Sequence, residues 1–180
     1  MQEIQKNQML RIMERYGNDP QQLIAVLLDI QAASGKFYVE KQWAELTAEV
    51  LKVPLSKIYD VLTFYSMFNT KPHGEFIVEI CRSTPCYFAG HSASHDGDGK
   101  GGSVDVVRFF EEAAGIKMGE TTANGKLSLV YTSCIGACDI GPAAKIGDDV
   151  FGNLDEEKVK ALVKHCLSSN RQELRALCQN

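Results

Sequence analysis

The sequence predicts an α+β chain in two parts: a helical bundle over residues 1–72, then a small sheet domain over 73–167, with a tail, 168–180, read as a short helix. Three observations carry that reading. Apolar residues recur at helical spacing through the N-terminal part, interrupted by turn signals. Near residues 70–74, in "NTKPHGEF", the apolar period shortens from about 3.6 to about 2, which marks a boundary. Beyond it, two pairs of cysteines each follow a short β-rich run.

Ile4, Met9, Ile12 and Met13 form the first stripe, which breaks at "GNDP", where Asp19 can cap and Pro20 can open the next helix. "QQLIAVLLDIQAASG" carries Leu23, Val26, Leu27 and Ile30 and stops at Gly35. A third stripe holds Trp43, Leu46 and Val50. A fourth, after Pro54, holds Ile58, Val61, Leu62, Tyr65 and Phe68, so that "TFYSMF" reads as core. Four helices on short connections make a bundle.

In the second part "FIVEIC" is a strand ending on Cys81, and "HSASHDGDGKGGS", residues 91–103, is a loop of Gly, Ser and Asp. "VDVVRFFEEAAGI" reads as a helix capped at Ser103, and "KLSLVYTSC" as a strand entered through the turn "ANGK". "AAKIGDDVFG" is a hairpin turning at Gly147 and Asp148, and "LDEEKVKALVKHCL" closes with a helix whose acidic first turn suits its dipole. This order of elements is compatible with a small sheet of the thioredoxin kind.

Composition narrows the function. With 44% hydrophobic and 23% charged residues the chain is of ordinary globular make-up. No apolar run approaches the roughly 20 residues a bilayer requires, and the first residues are amphipathic rather than an apolar signal core, so no direct membrane insertion and a cytoplasmic location are expected. A net charge of −4 with interspersed signs gives no footprint for nucleic acid. Six cysteines in a reducing compartment point to metal ligands or redox groups rather than disulfides.

Cys81 and Cys86 stand five apart in "CRSTPC"; Cys134 and Cys138 stand four apart in "CIGAC". Both pairs follow strands, on loops rich in Gly and Pro, and two strand ends of one sheet can lie side by side. Four thiolates can therefore converge. Zinc would take them around one ion, and a 2Fe-2S cluster would take one pair on each iron. Gly136 and Gly141 permit positive φ and close backbone approach, which suits amide hydrogen bonds to cluster sulfurs, although zinc loops use glycine too.

"CRSTPC", "GIKMGETTANGKLSL", "CIGACDIGPAAKIGDDVFGNL" and, in the bundle, "IYDVLTFYSMF" closely resemble the thioredoxin-like 2Fe-2S ferredoxin subunits of NADH dehydrogenases, where the subunit accompanies the complex I flavoprotein, and of electron-bifurcating hydrogenases and NAD-linked formate dehydrogenases. The resemblance spans about residues 5–167. It implies a thioredoxin-like fold after the bundle and a 2Fe-2S cluster held by Cys81, Cys86, Cys134 and Cys138. It implies a one-electron carrier with no substrate site of its own, and it places FMN and NAD on a partner flavoprotein that oxidises NADH, with further iron-sulfur subunits in the same complex. "CRSTPCYFAG" and the dozen or so extra residues after it look more like relatives in soluble anaerobic assemblies, such as bifurcating hydrogenases; a complex I subunit is the alternative.

Other candidates have plainer readings. Cys166 falls on an apolar stripe with Val159, Leu162 and Val163 and reads as core; Cys178 has no partner at ligand spacing. His91 and His95 would need a helix to act as i, i+4 ligands, and their neighbours argue for a solvated loop. "GDGKGG" lacks the spacing of a phosphate loop. Pro142 is expected at a bend facing the site. A zinc-stapled interaction module keeps the same four ligands, while a thiol-disulfide oxidoreductase would need the Cys-x-x-Cys that neither pair supplies.

Overall fold

A computed structural model describes residues 2–89 and 103–168. The expected loop at 91–103, with His91 and His95, falls outside these residues except for its last position, and the tail with Cys178 lies outside them almost entirely. The chain divides into two compact units, Met1–His73 and Gly74–Asn180.

The first unit is helical: α1 (Gln2–Arg15), α2 (Leu23–Ala33), α3 (Lys41–Leu51) and α4 (Leu55–Phe64). Asp19 caps as expected, its carboxylate accepting from the Gln21 amide at 2.8 Å, but the turn that Pro20 opens is a short 3-10 stretch, Pro20–Gln22, leading into α2. Met9, Met13, Val26, Leu27, Ile30, Trp43, Ile58 and Leu62 meet in its core. On α3 the buried face is Trp43, Ala44, Thr47, Ala48 and Leu51, so Leu46 and Val50 flank the core rather than fill it. Thr47 is tolerated at full burial because its hydroxyl donates to the Trp43 carbonyl at 2.7 Å.

"TFYSMF" departs from the expected core stripe. The helix ends at Phe64, Tyr65 is extended, and Phe64 is 80% exposed and Met67 45%, leaving Phe68 as the buried aromatic of the segment. The cause lies on α2. The Gln31 side-chain amide donates to the Met67 carbonyl at 2.9 Å and accepts from the Asn69 amide at 2.7 Å, holding the chain out of helical geometry, so helical periodicity stops applying there.

The second unit is a four-stranded sheet in the order β2-β1-β3-β4, built from β1 (Phe76–Cys81), β2 (Leu127–Thr132), β3 (Ala144–Ile146) and β4 (Asp149–Phe151). β1 pairs β2 in parallel, from Phe76↔Leu127 to Cys81↔Thr132, and pairs β3 antiparallel; β3 pairs β4 antiparallel. The helices are α5 (Thr84–Phe88), α6 (Ser103–Ala114) and α7 (Glu156–Ser168). Phe76, Val78, Ile80, Leu127 and Leu129 pack against Val106 and Phe110 of α6 and Val159, Leu162, Val163 and Cys166 of α7. The hairpin turns at Gly147 and Asp148, with Gly147 at φ 64°, a sign that fits the primed turns of short hairpins. Asp155 starts α7 by accepting from the Lys158 amide at 2.8 Å.

Two features were not visible as separate elements in the sequence. One is α5, a single turn carrying Cys86. The other is "GETT", which covers the free edge of β2: the Gly119 amide donates to Leu129 O at 2.7 Å and the Leu129 amide to Glu120 O at 3.1 Å. Behind it the buried Ser128 hydroxyl accepts from the Gly74 amide at 2.8 Å and bonds Thr121 at 2.6 Å.

Pro142 precedes β3 rather than lying in it, so no ladder bond is lost; the Gly141–Pro142 peptide is cis. Gly152 is a position where space decides the residue, because a Cβ there would lie 2.5 Å from Ile140 Cδ1 and from the Ile140 carbonyl oxygen. Gly152→Ala is expected to cost about 2 kcal/mol in chemical denaturation, since a backbone atom must yield. A change below about 0.5 kcal/mol, the ordinary surface range, would show the contact to be slack.

Candidate metal centre

The parallel register explains how cysteines so far apart in sequence meet. β1 ends on Cys81 opposite Thr132, the end of β2, so the chain segments leaving both strands start side by side. One segment runs through Ser83 into α5, which carries Cys86. The other carries Cys134 and, after Gly136 at φ 81°, Cys138 at the start of a 3-10 turn, Cys138–Ile140. A third strand closes the site: the Cys81 amide donates to Ala143 O at 3.1 Å, just before β3.

The thiols form two pairs. Cys81 and Cys86 act most directly on each other, as do Cys134 and Cys138, while the charges of Cys81 and Cys138 are near enough to be felt across the pairs. Cys81 and Cys86 are buried with Ala143; Cys134 and Cys138 are exposed. Among the described residues no three His, Cys, Asp or Glu side chains are placed to hold a single ion. Two pairs suit a 2Fe-2S cluster, with two thiolates on each iron; structural zinc would draw four onto one centre.

The electrostatics mark a place built for negative sulfur and short of positive charge. Burial, and next the hydrogen bond to Cys81, push the Cys86 thiol up to about 11, with the Ala143 backbone pulling the other way. Burial pushes Cys81 up too, yet hydrogen bonds from the backbone of Ser83 and Ile135, from the Cys86 thiol and from the Ser83 hydroxyl outweigh it, so its thiol ends below the ordinary value. Cys138 is raised by its hydrogen bond with Cys134, then by burial and by the charges of Cys134, Cys81 and Asp139. A cationic group between the pairs would offset the raised values of Cys86 and Cys138.

The two glycines singled out in the sequence divide the work. Gly136 takes the positive φ. Gly141 has a negative φ of −62° and serves by close approach, since a Cβ there would lie 3.5 Å from Cys86 Sγ and 3.2 Å from the Ala89 Cβ. Backbone therefore lies against the buried thiol pair, as a cluster cradle requires. Ser83, Ile135 and Ala143 were not singled out in the sequence, because backbone donors carry no residue signature; Ser83 alone had one, as a helix cap ahead of Pro85. Cys166 belongs to the sheet core, where burial pushes its thiol up to about 12. Arg82, beside Cys81, stacks its guanidinium over the Tyr131 ring at 5.0 Å.

The chain is similar to known proteins. The chain is 34% identical over 140 residues to a subunit of the NADH-quinone oxidoreductase of Rickettsia felis, covering 78% of this chain and 77% of that one. It is 29% identical over 141 residues to the HndA subunit of the NADP-reducing hydrogenase of Solidesulfovibrio fructosivorans, covering 78% and 74%. Among solved structures it resembles one chain of an NAD+-reducing [NiFe]-hydrogenase in the air-oxidized state, with a TM-score of 0.63 at 20% identity. That likeness covers 87% of this chain but 23% of the hydrogenase chain, and it shows the fold alone. The profile of the thioredoxin-like [2Fe-2S] ferredoxins, a family defined by its 2Fe-2S cluster, matches residues 9–167, both cysteine pairs included. With the match running through both units, the chain belongs to the thioredoxin-like [2Fe-2S] ferredoxin family.

Proposed function

We propose that Cys81, Cys86, Cys134 and Cys138 ligate one 2Fe-2S cluster and that the chain is a one-electron carrier subunit of an NAD(P)-linked oxidoreductase. The observation that carries this is the arrangement of the thiols in two pairs at the adjoining ends of parallel strands. When bound, the cluster accepts and returns one electron at a time. The chain's part is to hold four thiolates, to supply amide and hydroxyl donors to Cys81, and to bury one pair while leaving the other near the surface, where an electron can pass to a partner.

The relatives, named as parts of an NADH-quinone oxidoreductase and of an NADP-reducing hydrogenase, support a place beside a flavoprotein that carries FMN and binds NAD(H), together with further iron-sulfur subunits. A soluble bifurcating hydrogenase or related anaerobic complex is the setting we favour, on the extra residues after "CRSTPCYFAG"; a complex I subunit is the alternative. No helix among the described residues is long and apolar enough to cross a membrane. Purification from the native host, asking which subunits accompany the chain, separates the two settings.

Protein purified without oxygen is expected to hold two iron and two acid-labile sulfide per chain and to be red-brown. Iron and sulfide analysis with a visible spectrum checks this. One zinc and no sulfide per chain would overturn the cluster assignment in favour of a zinc-stapled module.

A further inference from the structure

Arg82 follows Cys81 in the chain, and its guanidinium lies 5.0 Å from the centre of the Tyr131 ring near the end of the neighbouring strand. With Tyr87 of α5 and Val104 and Val107 of α6, these two side chains line a groove of about 390 Å³. Arg82, Tyr87, Val104 and Tyr131 are all exposed, and beside them the exposed Phe88 meets Tyr87 edge to face at 5.1 Å. Among the described residues Arg82 is the one charged side chain of the lining, and no carboxylate pairs with it; Asp105 on α6 pairs with Arg108 at 3.0 Å instead. The groove therefore carries a positive charge without a counter-ion, on a chain whose net charge is −4. Its place matters as much as its charge. Arg82 follows Cys81, Tyr87 follows Cys86, and Tyr131 pairs with Ile80, the residue before Cys81, so the groove starts one residue away from each thiol of the buried pair.

We propose that this groove is the docking site of an electron-exchange partner, a protein that presents a carboxylate to Arg82 and an apolar side chain to the tyrosines and valines. The buried thiol pair thereby has an outlet of its own, besides the exposed Cys134 and Cys138. A cation set in aromatic and aliphatic surface draws an acidic partner in from a distance and then holds it by contact, and the interfaces of passing redox encounters are small. The inference rests on Cys81 and Cys86 holding the cluster, as proposed above.

The test is stopped-flow electron transfer, without oxygen and at low ionic strength, from the full cluster-bearing chain, reduced beforehand, to two haem proteins of opposite charge, the acidic cytochrome b5 and the basic cytochrome c. In each reaction the cluster loses one electron and the ferric haem takes it to become ferrous, with no bond or proton exchanged. The variants are Arg82→Glu, Arg82→Lys and Val104→Glu, the last at a position 56% exposed on α6; Lys164→Glu, at an exposed lysine of α7, is the control. With cytochrome b5, Arg82→Glu and Val104→Glu are expected to react about tenfold more slowly and to lose most of their dependence on salt, while Arg82→Lys stays within about twofold of wild type and Lys164→Glu matches it. With cytochrome c neither Glu variant should lose rate. Equal slowing toward both haem proteins overturns the inference, because the new charge would then act on the cluster and not on the partner. Unaltered rates in Val104→Glu and in a cluster-bearing Arg82→Glu overturn it too, the result expected where the chain itself or a second copy covers the groove; sedimentation separates those two. Should Arg82→Glu hold no cluster, Val104→Glu decides alone. A wild-type chain without 2Fe-2S absorption refutes the ligand assignment, an outcome distinct from any change of rate, and the inference falls with it.

Discussion

Ala in place of any one of Cys81, Cys86, Cys134 or Cys138 is expected to abolish the visible spectrum and EPR signal of the cluster, whereas Cys166→Ala should leave both intact. Each iron takes two thiolates, so the loss of one leaves an iron without its full ligand set. Cys166 lies in the sheet core with Val159, Leu162 and Val163 and cannot substitute. The four variants should share the lost signal and divide into two pairs by their effect on stability. Cys134 and Cys138 are exposed, so their replacement should leave the apo fold and its melting unchanged. Cys81 and Cys86 are buried, and truncation there should also destabilise the chain, by about 1 kcal/mol. Absorption and circular dichroism on the same samples separate the two effects. Bleaching by Cys166→Ala, or by Cys178→Ala in the tail, would show the ligand set to be wrong.

The second large effect concerns the helical unit. A chain beginning at Gly74 is expected to keep its 2Fe-2S spectrum and to lose most of its binding to the flavoprotein subunit. The sheet core is built from residues of the second unit, and the helical core, from Met9 to Phe68, is separate from it. No metal-ligand candidate of the proposed set lies before Cys81. The helical unit instead exposes Tyr59, Phe64, Tyr65 and Met67 along one segment, and clustered exposed apolar side chains are a mark of interaction surfaces. Phe64→Asp in the full chain is the companion variant. At 80% exposure it should be tolerated by the fold and should weaken binding in the same direction. A shortened chain that bound its flavoprotein at full strength would leave the helical unit a purely structural role.

The order of helices and strands was legible because burial writes itself into spacing. Trp43 and Ile58 are buried where helical periodicity puts them, and the hairpin turns where Gly147 allows it. The candidate site was legible because thiols at short spacing after strands have few other uses. What escaped was set by contacts that spacing does not encode. Gln31, on a different helix, takes Met67 and Asn69 and so ends the fourth stripe early. The cover over the edge of β2 consists of backbone bonds from Gly119 to Thr122, which any residues could make. The approach of the Ile135 backbone to Cys81 became visible only when two distant loops were placed together.

The parallel pairing of β1 with β2 has a consequence for how the molecule matures. Cys81 and Cys134 are separated by about fifty residues, and the strand ends that carry them come together only when a non-local pairing closes, which is a slow kind of step for a chain. During synthesis the first pair of thiols emerges well before the second, and no half-site by itself can satisfy two irons. With the ligand set proposed above, delivery of iron and sulfide would have to follow completion of the sheet. A group that binds only the finished sheet then draws the folding equilibrium toward it. Loading would then act as a checkpoint that chains with misaligned strands fail.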